Sequence, residues 1–119
     1  MGFGQAIAAG FRNYVNFSGR ASRPAYWYFV LFLFIAGIVT ALIDFGVFGA
    51  TEIGPTNAIF TLVTLLPSIA VGVRRLHDTG RTGWWLLLAF LPIIGIILLI
   101  VWFCQRGEPG PNAYGPVPA

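Results

Sequence analysis

"GVRRLHDTGRTGWW", residues Gly72 to Trp85, is where this chain changes solvent. It follows one apolar run and opens another, yet it holds three of the seven arginines, the only histidine and one of the four acids. The fold depends on whether the flanking runs cross a bilayer. If they do, this stretch is the polar knot between two membrane segments.

Composition answers in favour of the bilayer. Of 119 residues, 57% are hydrophobic and 9% charged, with a mean hydropathy of +0.80, whereas soluble domains carry about 25% charged residues. Distribution sharpens the point. Ala25 to Ile43 (19 residues) and Trp84 to Cys104 (21 residues) contain no charge at all, and a helix needs about 20 residues to cross the hydrocarbon core. Ala58 to Val73 has 16 residues and crosses if it starts further upstream or if Arg74 and Arg75 snorkel. The expectation is an all-α integral membrane protein with three transmembrane helices, at about 25–43, 55–75 and 84–104.

Residues 1–24 precede the first span. Phe3, Ile7, Phe11, Tyr14 and Val15 recur at helical spacing among small and polar residues, predicting an amphipathic helix over Phe3 to Phe17 that lies along the interface. Packing of that helix on the spans is the alternative. Ser22 as N-cap, Pro24 in the first turn and the belt Tyr26-Trp27-Tyr28 mark entry into the membrane. No cleaved signal peptide is expected, because the first long apolar run starts only near residue 25. "MGFGQA" lacks the Ser or Thr that a myristoylation signal wants.

Arginine placement predicts orientation. Arg12, Arg20 and Arg23 precede the first span and Arg74, Arg75 and Arg81 follow the second, against Arg106 in the tail. With three spans, the positive-inside rule puts the N-terminus and the Arg74 to Gly83 loop in the cytoplasm, and the Asp44 to Asn57 loop and the C-terminus outside. The tail, residues 106–119, is rich in proline and glycine and reads as a turn-rich or disordered end. Asp44 reads as an interface residue closing the first span. Pro67 would free a carbonyl that Thr64 or Ser68 can take up, and Gly72, Gly95 and Ala70 favour tight packing over a transport cavity.

The chemistry-bearing residues concentrate in the opening stretch. On a helix Arg74 and Asp78 fall at i and i+4 and can pair, which leaves Arg75 and Arg81 free, while Gly80 and Gly83 permit a tight turn. Three readings remain open: a positively charged loop that fixes topology, a headgroup site in which Arg75, Arg81 and Thr82 meet a phosphate, and a protein docking surface. Arg20 and Arg23 lie at the same predicted interface, so a basic pocket beside Trp27 and Trp84 can form, with Asp78 as counter-charge. The candidate lipid, anion or partner residues are therefore Arg20, Arg23, Arg75, His77, Asp78, Arg81 and Trp84.

Enzyme chemistry finds little footing. His77 and Asp78 are adjacent, so they do not face each other on a helix, and no Ser or Cys nucleophile has a plausible partner. One histidine and one cysteine, Cys104, predict no metal site, no cofactor and no internal disulfide. The net charge of +3 comes without a basic stripe on a polar domain, so no nucleic-acid partner is expected. The expected partners are the bilayer with anionic phospholipid, and a membrane protein or a second copy of the chain.

Three motifs in order, "FSGRASRPAYW", "RRLHDTGRTGWW" and "GEPGPNAYGPVP", resemble the domain-of-unknown-function 805 family of YhaH-like bacterial inner-membrane proteins across essentially the whole chain. By position, Gly19, Arg20 and Arg23 match its first motif, Arg75, His77, Asp78, Gly80 and Trp84 its second, and Gly110, Asn112, Tyr114 and Gly115 its tail. Pro24-Ala25 and Ala113 stand where the family often carries charge. The resemblance implies a small inner-membrane protein of three or four spans and points to no particular activity. With the composition, it leads to a non-enzymatic accessory subunit or self-associating scaffold, and alternatively to a lipid- or solute-handling protein using the Arg pocket.

Overall fold

A computed structural model describes residues 2–118. The described residues form four α-helices, α1 (Phe3–Arg12), α2 (Arg23–Phe48), α3 (Pro55–Asp78) and α4 (Ile94–Cys104), with a 3-10 helix over Gly83–Phe90 between the last two.

Two helices are long and apolar enough to cross a membrane, α2 with 26 residues and α3 with 24. At 1.5 Å per residue they measure about 39 and 36 Å, more than the roughly 30 Å of hydrocarbon. Ser22 starts α2 by accepting the Ala25 N–H at 3.3 Å, and Gly49, at φ 65°, ends it. α3 starts at a proline, where a missing N–H costs nothing. Its next two N–H groups, from Thr56 and Asn57, donate to Asp44 at 3.0 and 2.8 Å. Asp44 is therefore not a solvated interface residue: it is 1% exposed and caps the neighbouring helix across the α2–α3 turn. Asn57 completes the junction by donating to Thr40 Oγ1 at 2.8 Å and to the Gly37 carbonyl at 3.2 Å.

α1 is shorter than the periodicity predicted, ending at Arg12 where Asn13 turns its amide back onto the Ala9 carbonyl. It packs along the start of α2. Gly10 admits the Phe29 ring where any Cβ would collide with it, and Phe11 meets Phe29 and Phe32 edge-on at 5.8 Å. From this position Tyr14 reaches α3. Pro67 deprives the Val63 carbonyl of its helical donor, and the Tyr14 hydroxyl donates to that oxygen. Thr64 and Ser68, the residues expected to do so, instead bond the Phe60 and Thr64 carbonyls.

The third apolar run does not add a third helix of spanning length to α2 and α3. Residues 84–104 do not form one helix; the chain breaks at Leu91–Ile93 and turns back. Pro92 pushes Leu91 out of the helical region, to φ −88° and ψ 108°. Ile93, at φ 69° and ψ −73°, closes a γ-turn in which the Ile94 N–H donates to the Pro92 carbonyl at 2.8 Å. Gly95 then lets the returning arm lie on the Leu88 carbonyl, a contact that any Cβ would block. The two ends of the run consequently meet, with the Trp85 and Trp102 rings 5.6 Å apart.

Hydropathy measured the length of this run but not its reversal. The reversal also corrects the expected separation of loop and tail. Instead of emerging opposite the Arg74 to Gly83 loop, the described C-terminal residues lie against it, turned by an Asn112–Gly115 bridge. The tail is ordered through contacts rather than a loose end.

Candidate functional site

The opening stretch of sequence ends up at the centre of a buried arginine clasp. Arg75 is fully buried and Arg20 is 8% exposed. Both meet Asp78: Arg20 Nε donates to Oδ1 at 3.0 Å and Arg75 Nη1 to Oδ2 at 2.5 Å. The pairing expected between Arg74 and Asp78 is replaced by this i, i+3 pair and its long-range partner. Arg74 instead donates to the Asn13 and Asn16 carbonyls at 3.2 and 2.7 Å, while its own carbonyl accepts from the Ala21 N–H at 3.0 Å.

The remaining guanidinium donors go to main-chain carbonyls. Arg75 reaches Phe103 at 3.1 Å, Ala21 at 3.2 Å and Gln105. Arg20 reaches Glu108 at 2.6 Å, Gly110 at 2.8 Å and Gly115 at 3.3 Å. Trp27 Nε1 donates to the Phe103 carbonyl at 3.1 Å, and Arg23 lies 3.5 Å from that of Cys104. Three side chains thus satisfy the carbonyl end of α4, where the helix dipole favours cations. Among the described residues no buried side-chain nitrogen or oxygen is left without a partner. That satisfaction is what makes buried ions tolerable.

The tail closes the clasp. The Glu108 N–H donates to the Asp78 carbonyl at 2.8 Å, and Gly107 sits against the Asp78 carboxylate where a Cβ would overlap it. Asn112 donates to the His77 carbonyl at 2.9 Å, and the Tyr114 ring stacks on the His77 imidazole at 4.0 Å, with planes 3° apart. On the other side, His77 Nδ1 lies 2.9 Å from the Gly19 carbonyl. A carbonyl only accepts, so Nδ1 carries the proton. His77 and Asp78 make no bond to each other, and both Asp78 oxygens are held by arginines.

The structure therefore brings together Arg20, Arg75, His77 and Asp78, with Arg23 at the edge. Arg81 stands apart, 4.3 Å over the Trp102 ring and bonded to Gln105 at 3.1 Å. Trp84 is 79% exposed and lies outside the clasp. It lines an apolar groove of about 710 Å³ between α3 and the 3-10 helix. Sequence reasoning did not assign Glu108, Asn112 or Tyr114 to this site. The only available signal was their position in the tail motif.

All of these tail contacts fall inside the stretch that known relatives share. The family described as "Protein of unknown function (DUF805)" matches residues 14–116, from Tyr14 through the tail turn. The chain belongs to this family. It is 45% identical to the inner membrane protein YhaI of Escherichia coli (strain K12) over 107 residues, which cover 90% of this chain and 89% of YhaI. Against the inner membrane protein YhaH of the same strain the identity is 43% over 111 residues, 90% of each chain. A third relative, the uncharacterised YiiR, is 41% identical over 85 residues, or 71% of this chain and 53% of YiiR. No solved structure matches. DUF805 membership, relatives named as inner membrane proteins and two helices long enough to span support an inner-membrane location. α1 lies before the family match, whereas the whole clasp lies within it.

Proposed function

We propose that this chain is a small non-enzymatic inner-membrane protein that works by association within the bilayer, as an accessory subunit or a self-associating scaffold. The observation that carries the reading is the filling of the arginine clasp: Arg20 and Arg75 give their donors to Asp78 and to backbone carbonyls. A site for an anionic headgroup needs free guanidinium donors, and here the chain's own tail takes their place. A general base needs a free lone pair near its substrate, and Asp78 offers none. What the protein presents instead is apolar helix surface, including Phe34, Leu42, Leu62 and Phe90, all exposed.

The same reading gives the chain two full crossings, α2 and α3, and a re-entrant hairpin over Gly83–Cys104, with α1 at the interface. Arg12, Arg20, Arg23, Arg74, Arg75, Arg81 and Arg106 then share the end that carries the clasp, and Asp44 and Glu52 the other. By the positive-inside rule the clasp end, both termini included, is cytoplasmic.

Native mass spectrometry of protein extracted gently from its own membrane tests the association. A homo-oligomer or a stoichiometric foreign protein is the expected outcome. A bare monomer, with no crosslinked neighbour in intact membranes, would overturn it.

A further inference from the structure

The groove between α3 and the 3-10 helix meets the clasp only at His77. Its α3 wall is a single stripe at i, i+4 spacing, Leu65, Ile69, Val73 and His77, and Trp84 and Phe90 contribute to the facing wall. Gly83 and Gly72 set the separation of the two elements. A Cβ on Gly83 would come within 2.7 Å of Val73, and one on Gly72 would lie 3.3 Å from Leu86.

Three features identify an occupant. The thirteen residues from Leu65 to His77 span about 18 Å of helix, close to the roughly 15 Å depth of one leaflet's hydrocarbon. The groove's volume of about 710 Å³ falls within the range of formed ligand sites. Its one ionisable lining residue is at the clasp end: His77, 8% exposed, with Nδ1 engaged by Gly19 and, among the described residues, no hydrogen-bond partner for Nε2. With the proton on Nδ1, the neutral form of the ring presents Nε2 as an acceptor.

We propose that this groove binds one acyl chain of a membrane lipid whose headgroup carries a hydrogen-bond donor, with that donor on His77 Nε2. The inference rests on the membrane placement proposed above but not on the association. The lipid chain fills the Leu65–Val73 stripe and the head stays at the clasp end, beside Trp84 at interface depth. The arginines do not take part, so the preference is for a donor in the headgroup rather than for negative charge.

The test is lipid retention in native mass spectrometry of full-length protein, delipidated and then supplied with phosphatidylethanolamine or phosphatidylcholine of the same acyl composition. The ethanolamine head has N–H donors and the choline head has none. The expected result is one retained lipid per protomer, with phosphatidylethanolamine preferred by about fivefold, the worth of one hydrogen bond. Ala89→Trp, which fills the groove without touching the tail, abolishes retention, and His77→Leu removes the preference. Equal retention of both lipids by the wild type, undiminished retention in Ala89→Trp, or a groove closed by a second protomer with no lipid bound would overturn the proposal. A chain that needs no detergent to stay in solution would instead defeat the membrane placement.

Discussion

Arg20 and Asp78, 58 positions apart in sequence, form a buried ion pair at 3.0 Å whose second carboxylate oxygen belongs to Arg75. The segment before α2 is thereby fastened to the end of α3, and the tail is laid over both. Removing the shared carboxylate leaves two guanidiniums buried with no counter-charge. Breaking a buried pair this way costs about 3–5 kcal/mol. Asp78→Ala is predicted to lower the melting temperature in detergent by many degrees and to expose the tail to protease, whereas Arg23→Ala, at the exposed edge, changes both little. Equal melting temperatures for Asp78→Ala and wild type would contradict the clasp.

Tyr14 and Pro67 are predicted to be energetically coupled. The Tyr14 hydroxyl satisfies the Val63 carbonyl that the proline leaves without its helical donor. Tyr14→Phe should cost about 1 kcal/mol or more. In a Pro67→Ala background, where residue 67 regains an N–H, most of that cost should vanish. A double-mutant cycle on thermal stability measures the difference, and additive costs would show that the hydroxyl does not serve this carbonyl.

Asp44 is predicted to act as a helix cap rather than as an ion-binding acid. It accepts from Thr56 and Asn57 at the start of α3, and Gly54 leaves no room for a Cβ beside its carboxylate. Asp44→Ala should destabilise by about 1–2 kcal/mol, in the range of a lost cap. Asp44→Asn, which keeps an acceptor oxygen, should recover a good part of the loss. Asn behaving no better than Ala would contradict capping.

Much of the fold was legible where the physics is one-dimensional. Ala25 to Ile43 lacks charge, begins at Ser22-Arg23-Pro24 and ends in glycines, and α2 runs through it. The marginal Ala58 to Val73 run is the core of α3, extended by Pro55 at one end and through Asp78 at the other. Residues 84–104 are not the single helix expected of them, because hydropathy is blind to direction. The clues lay in Pro92, Gly95 and the tryptophans at both ends of the run, Trp85 and Trp102, but none of them alone tells a kinked helix from a reversed one.

The candidate site was legible in its side chains and not in its partners. Arg20, Arg75, His77 and Asp78 were picked out by charge in apolar surroundings, and they do converge. Their acceptors are mostly backbone carbonyls of Ala21, Phe103, Glu108 and Gly110, which any residue type supplies. Once the third run was taken as a crossing, the tail was expected on the side opposite these residues and was not considered.

The side on which the C-terminus lies tests the reversal most directly. Reporters fused in turn before Met1 and after Ala119 of the full chain, one pair fluorescing only in the cytoplasm and the other active only outside it, read both termini in intact cells. The account predicts cytoplasmic fluorescence from both fusions and no outside activity from either. Outside activity of the Ala119 fusion alone would mean that residues 84–104 cross the membrane, and the clasp between Arg20, Asp78 and the tail could not form.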